Sequence, residues 1–328
     1  MSSSPFCVTY HFVADPEETP WPRLVSRGRR AFEAQLDYLC AHHEPLTLEQ
    51  IRAFFGQGAA LPSDGFLLTF DHATRDHLEI VLPALESRGL QGTFFVYTHV
   101  IDQGRICSVD KQRFLEYSFE DYLDLLKHFA EHVMRRCPDL DPRSIEPNAR
   151  NLEQTRHYLA QFPFYSDGER FFRHLRDRVL LPSVFEEAIS AMFQEVFGSE
   201  AEFARAHYLS WDDLSTLRNA GMEIGGHGHR HLPMPRTPPE VQLADVQTCV
   251  HLLRQQLRVP ADVFAYPNGD YNPETLSALR TSGVTLAFTT DPGAGISKGR
   301  PLEIGRIDTA FLPTKAGAGR LDGGPRGE

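Results

Sequence analysis

Between Phe66 and Val96 two apolar, β-prone runs flank a polar turn and a helical segment. The first run, Phe66-Leu67-Leu68-Thr69-Phe70, delivers Asp71 and His72 to its end, and the second, Gly92-Thr93-Phe94-Phe95-Val96, follows a segment that closes at Arg88-Gly89. A strand, a crossover helix and a second strand this close together form a β-loop-α-β unit with parallel strands. An acid and an imidazole at the C-terminal edge of a buried parallel strand add nothing to a core, and such edges are where α/β folds keep their chemistry. Asp71 and His72 are therefore read as a base and a metal ligand, with Asp76 and His77 in the polar turn beyond them. The plainer alternatives are Asp71 as the N-cap of the next helix and His72 as a hydrogen-bonded core histidine.

The same alternation of strands and helices runs through both ends of the chain. Phe6–Val13 is the first strand, with His11 near its end; Phe32, Leu36 and Leu39 have helical spacing, and Thr47 with Gln50 forms a capping box. From 101 to 206 no strand pattern occurs, and helical blocks span Phe119–Val133, Leu152–Leu159, Glu169–Val179 and Val184–Phe197. A structureless loop of that length is improbable in a compact fold. Strands resume with Met222–Gly225, Val263–Tyr266, Val284–Thr289 and a short one within Pro301–Asp308, separated by helices that include one capped by Ser210 and one stopped at Gly283. Seven strand candidates, mostly alternating with helices, predict an α/β barrel rather than a doubly wound open sheet. Its parts are 1–100 and 207–315, with an all-helical insertion at 101–206 and a disordered Gly/Arg-rich tail at 316–328.

Composition narrows the partners. A net charge of −11 argues against nucleic acid and anionic membranes. Met1-Ser2-Ser3-Ser4-Pro5-Phe6 lacks the regions of a signal peptide, and no run of about 18 apolar residues is present to span a bilayer. The five cysteines are scattered, odd in number and without a CxxC pair, which fits reduced thiols in a cytoplasmic protein.

A second cluster follows Met222–Gly225: Gly226-His227-Gly228-His229-Arg230-His231. His227 and His231 are four apart, so on one helical turn both imidazoles face one side and suit a divalent metal; a solvated polar turn is the alternative. A third segment, Tyr266-Pro267-Asn268-Gly269-Asp270-Tyr271-Asn272, reads either as a plain turn or as the lining of a substrate groove. No P-loop, nucleophile elbow or dinucleotide fingerprint occurs.

In this order the segments resemble the polysaccharide deacetylase superfamily, the NodB-homology or carbohydrate esterase family 4 fold. Val8-Thr9-Tyr10-His11-Phe12-Val13 is similar to its first-strand YHxV, and Thr69-Phe70-Asp71-His72-Ala73 stands where it has TFDDG. Pro83 to Val96 is similar to its LPxLxxxGxxxTFFV, the His227–His231 stretch to its H-[ST]-x-x-H, and Phe264–Asn272 to its YPYGDYN. The resemblance covers 6–100 and 207–312; the insertion and Gly305-Arg306-Ile307-Asp308-Thr309 look like a subgroup from sugar and surface-polysaccharide gene clusters.

The resemblance implies a distorted (β/α)7 barrel and metal-dependent hydrolysis of an N-acyl group, acetyl or formyl, on an amino sugar or sugar-containing intermediate. Asp71 is then the base, His227, His231 and the residue at 72 hold zinc (cobalt or nickel as alternatives), and His11, Tyr266, Pro267, Asn268 and Gly269 line the substrate site. The partner is a glycan or small-molecule substrate, and a homo-oligomer is compatible. Three departures stand out: His72 where the family has Asp, Gly228 where it has Ser or Thr, and no histidine after His251 to serve as its late general acid. They leave two alternatives, a catalytically impaired carbohydrate-binding or scaffold protein and a hydrolase of a non-sugar C–N bond.

Overall fold

The computed structural model describes residues 4–15, 28–160, 162 and 165–313, so the tail expected from 316 lies outside the described residues. By Cα proximity the described chain divides into two compact units, one from residues 4–15, 28–105 and 204–313 and one from 106–203.

The first unit is built on the strands β1 (Phe6–Tyr10), β2 (Glu44–Pro45), β3 (Gly65–Asp71), β4 (Gly92–Val96), β5 (Glu223–Gly226), β6 (Val263–Ala265), β7 (Leu286–Phe288) and β8 (Arg306–Asp308). They pair in the order β7-β6-β5-β4-β3-β1-β8, with the two-residue β2 added beside β3. Every ladder is parallel, and a further parallel bridge between Phe288 and Ile304 brings the chain just before β8 against β7. The Thr289 amide donates to the Ile304 carbonyl at 2.8 Å and the Ile304 amide to Ala287 at 2.9 Å. The result is a nearly closed barrel of seven strands with helices around it, the NodB-type (β/α)7 architecture.

Residue alternation along the strands decides what faces where. In β3, Phe66, Leu68 and Phe70 pack with Val8, Tyr10, Phe94 and the surrounding helices, whereas Leu67 packs with Cys7, Phe95, Val263 and Phe288 in the barrel's own core. Thr69 and Asp71 share the parity of Leu67, so the period of two turns the acid inward. On β8, Arg306 is in register with Cys7 of β1, which puts it on the same inner face.

Local chemistry sets the helix ends. Thr47 and Gln50 form the expected capping box, Ser210 and Asp213 form another, and Gly283 takes φ +80° after the helix Pro273–Thr281. The first strand is shorter than Phe6–Val13, because the chain leaves the sheet after Tyr10. Asp76 and His77 do not form a solvated turn: His77 is fully buried, its Nε2 donates to the His11 carbonyl at 2.7 Å, and Asp76 accepts from the Val13 amide at 2.7 Å.

The second unit contains helices and no strand among its described residues. Its helices are Ser108–Ser118, Tyr122–Arg136, Ala149–Thr155, Asp167–His174 running into Leu175–Val179, and Pro182–Phe197, followed by the start of Glu200–His207. Phe129, Phe172 and Phe185 form its aromatic centre, with ring centroids 4.8–5.9 Å apart.

Candidate metal centre

Four parallel strands deliver the candidate residues from their C-terminal ends: β1 to His11, β3 to Asp71 and His72, β5 to His227, and β6 to Tyr266. The His72 amide extends the β3 ladder by donating to Phe95 at 3.0 Å, after which the backbone turns sharply. His72 and Ala73 take φ of 82° and 60°, a left-handed conformation that costs a residue with a Cβ about 1–2 kcal/mol each. The turn is fixed from outside by Leu209, whose amide donates to the Ala73 carbonyl at 3.0 Å.

His227 and His231 are not on a helical turn. The segment between them is a loop whose backbone reverses through Gly228 at φ 80° and His231 at φ 56°. Asp245, buried on the helix Pro239–Leu257, pins that loop by accepting from the amides of His229 at 2.8 Å and Arg230 at 3.0 Å. A Cβ on residue 228 would lie 2.8 Å from the Asp245 carboxylate, so the space of the family's Ser or Thr side chain is taken by the carboxylate that shapes the loop.

The loop brings the rings together by another route than helical spacing. Ring centroids are 5.3 Å apart for His72 and His227, 5.0 Å for His72 and His231, and 4.6 Å for His227 and His231. One ligand atom from each of the three lies within 4.8 Å of the others, and all three side chains are buried. His227 Nδ1 donates to the Ala265 carbonyl at 2.8 Å, which leaves the Nε2 lone pair facing the cluster. Burial pushes the His227 imidazole down to about 4, so it is the neutral, ligating form at neutral pH. A neutral, oriented imidazole beside two others is the donor set of a borderline-soft divalent ion, and the residues fit zinc, cobalt or nickel.

Asp71 faces this cluster, its Oδ2 lying 4.0 Å from His227 Nε2. It is also held by a residue the sequence reading did not assign. Arg306 is 1% exposed and grips Asp71 with both guanidinium nitrogens, at 2.8 Å and 2.9 Å, while its Nε donates to the Thr289 carbonyl at 3.1 Å. Burial alone would raise the Asp71 carboxyl; the charge and hydrogen bonds of Arg306, with His227, outweigh it and hold the group well below the usual carboxylate range. A carboxylate oxygen has more than one lone pair, so the fork still leaves Asp71 able to accept from the cluster side.

The remaining candidates divide. His11 brings its ring centroid to 5.4 Å from His72, at the edge of the site. Tyr266 is fully buried; its hydroxyl donates to the Leu302 carbonyl at 2.6 Å and its ring stacks on Tyr271, so the phenol is committed to the framework. Pro267 and Gly269 are buried and Asn268 is exposed at φ 59°; the Gly269 amide closes back on Tyr266 at 2.8 Å. Tyr97, one residue past β4 and unassigned from sequence, lines the cluster with its ring 5.9 Å from those of both His72 and His231.

Comparison with known proteins agrees with this architecture. Residues 186–287, which contain His227, His231 and the Tyr266 turn, match the family model described as polysaccharide deacetylase. The match is confined to that segment, which is less than half of the chain. Over 88 residues the chain is 28% identical to YxkH of Bacillus subtilis (strain 168), a protein assigned to polysaccharide deacetylases by its name; that stretch is 27% of this chain and only 32% of the relative. Two solved structures share the fold along nearly the whole chain. The Streptococcus pyogenes deacetylase PplD, solved with acetate, has a TM-score of 0.55 at 17% identity, covering 95% of this chain and 93% of its own. IcaB from Ammonifex degensii has a TM-score of 0.54 at 17% identity, covering 93% and 91%. Asp71 and His72 lie outside the family-model match.

Proposed function

We propose that this protein is a metal-dependent hydrolase of the polysaccharide deacetylase type that removes an N-acyl group, acetyl or formyl, from an amino sugar or a sugar-containing intermediate, and does not act on peptide bonds. The observation that carries the reading is the convergence of three buried imidazoles on one point with the Asp71 carboxylate 4.0 Å from His227. Bound there, the divalent ion, zinc in the first place, supplies a Lewis acid for the acyl carbonyl and lowers the pKa of water.

The chain's own groups do the rest. Asp71 Oδ2 takes the proton of the attacking water, and Arg306 keeps the carboxylate ionised and fixed in direction. A carboxyl held far below its ordinary pKa is a weak base but a strong acid once protonated. In a chain without a late histidine, Asp71 therefore returns that proton to the departing amine, so one residue serves both halves of the reaction. His11 flanks His72 and borders the space for the sugar. The setting we propose is cytoplasmic, supported by five scattered cysteines that form no CxxC pair.

The test is acyl release from N-acetyl and N-formyl amino sugars, read as free amine, with metal content measured on the same samples. Asp71→Asn is expected to abolish turnover with metal retained, whereas near-wild-type turnover rejects Asp71 as the proton carrier. A folded chain that binds no metal and releases no acyl group rejects the hydrolase and leaves a carbohydrate-binding role on the same barrel.

A further inference from the structure

The helical unit holds a second group of metal-type donors that shares no residue with the barrel site. His128 and His132 are four apart on the helix Tyr122–Arg136, so here helical spacing does put both rings on one face. Glu195, on the neighbouring helix Pro182–Phe197, meets them both: its Oε1 is 3.1 Å from His128 Nε2 and its Oε2 is 3.1 Å from His132 Nε2. The two rings are 5.3 Å apart, and one ligand atom from each of the three residues lies within 4.8 Å of the others. His132 is buried, while the Glu195 side chain is 50% exposed, so the group has a rigid inner member and an open approach from solvent.

We propose that His128, His132 and Glu195 form a second divalent-cation site, of the zinc, nickel or cobalt class, that clamps the two helices together. Two imidazoles and one carboxylate select borderline-soft ions over calcium or magnesium, which take all-oxygen shells. In the metal-free arrangement each Nε2 carries a proton and donates to one carboxylate oxygen. Coordination needs the Nε2 lone pairs, so the proton of each neutral ring passes through solvent to Nδ1, with no net release. Glu131 Oε2 stands 3.9 Å from His128 Nδ1, on the side of the ring that receives the proton, where a carboxylate orients a ligating imidazole. Burial also holds His132 below the ordinary histidine value, in the neutral form a metal requires.

Equilibrium dialysis of the full chain against zinc, followed by metal analysis, tests this. The His128→Asn/Glu195→Gln variant leaves the buried His132 in place and is expected to bind one equivalent fewer than the unaltered chain, with unchanged helicity by circular dichroism. In a His227→Ala/His231→Ala chain, which removes the barrel ligands, one equivalent is expected to remain, so this site and the barrel site fail separately. Equal stoichiometry in the unaltered chain and His128→Asn/Glu195→Gln overturns the proposal. An anomalous-difference map from zinc-soaked crystals of the unaltered chain needs no variant: a peak between the two helices supports the site, and its absence overturns it.

Discussion

Replacing Arg306 with methionine isolates what the Asp71–Arg306 fork contributes. The substitution keeps volume and apolar stem but leaves Asp71, held at 2.8 Å and 2.9 Å in the native pair, as an uncompensated carboxylate inside the barrel. Breaking one partner of a buried pair costs about 3–5 kcal/mol. That is a large share of the roughly 5–15 kcal/mol that holds a domain together. The pH dependence follows from the sign of the shift. In the native chain the folded pKa lies below the unfolded value of about 3.9, so the pair's stabilisation is present above that value and is lost only as pH falls through the folded pKa. In Arg306→Met, burial raises the folded pKa instead, so the carboxylate penalty is present at neutral pH and disappears on acidification towards pH 4. The assay is urea unfolding with chelator present, at pH 7.5 and near pH 4.5, in the single variants and in Asp71→Asn/Arg306→Met. The expected result is a large loss at pH 7.5 that narrows at the lower pH and shrinks when Asp71 is already neutral. A loss under about 1 kcal/mol at pH 7.5, the range of exposed pairs, or an equal loss in the Asp71→Asn background, would refute the reasoning.

Three further outcomes are expected. His72→Ala should cut zinc affinity beyond the ~10–100-fold that loss of an outer partner costs, whereas His72→Asp should keep it; unchanged affinity in His72→Ala places that ring outside the ligand set. Gly228→Ala must adopt φ 80° with its Cβ 2.8 Å from a carboxylate that two backbone amides hold. It should lose at least about 1–2 kcal/mol in thermal or urea unfolding and weaken zinc binding, and wild-type values for both would show that the loop can shift freely. The metal-free chain should lose stability as pH falls from 6.5 towards 4, because the unfolded His227 takes a proton that the buried folded ring refuses down to about 4. His227→Gln should flatten that acid slope, and an unaltered slope would assign it to other groups.

How much of this was legible in the sequence depended on whether a residue's role is set locally. The β3 edge with Asp71 and His72, the capping boxes at Thr47 and Ser210, and the strand before His227 all follow from short-range patterns. The His227–His231 pairing was read from helical spacing, but it is made by a glycine-bearing loop tied to Asp245, sixteen positions beyond His229. Arg306 was invisible as a partner because its carboxylate is 235 positions away and only the barrel's register aligns them. The available signal was an arginine on a strand of the barrel, since a buried cation requires a counter-charge. The helix Ser108–Ser118 escaped notice for a related reason. Its buried face carries Asp110, Lys111, Gln112 and Glu116, with Lys111 bound to Glu186 and Glu116 to Arg173, so apolar periodicity is weak where the helix is most enclosed.

The position of Arg306 on the last strand also orders the assembly of the site in time. The third imidazole, His231, leaves the ribosome 75 residues before Arg306 (306 − 231), an interval of roughly 4–15 s at ordinary synthesis rates of about 5–20 residues per second. During that interval the chain holds every imidazole of the cluster and an Asp71 with no guanidinium to claim it. At the proposed metal centre, an ion captured early would meet a carboxylate that is itself a free ligand, and the arrival of β8 would convert that carboxylate from competitor to neighbour. Under the proposed function, synthesis that stops short of Arg306 would leave the three imidazoles with an unrestrained acid, and the completed strand would separate holding an ion from using it.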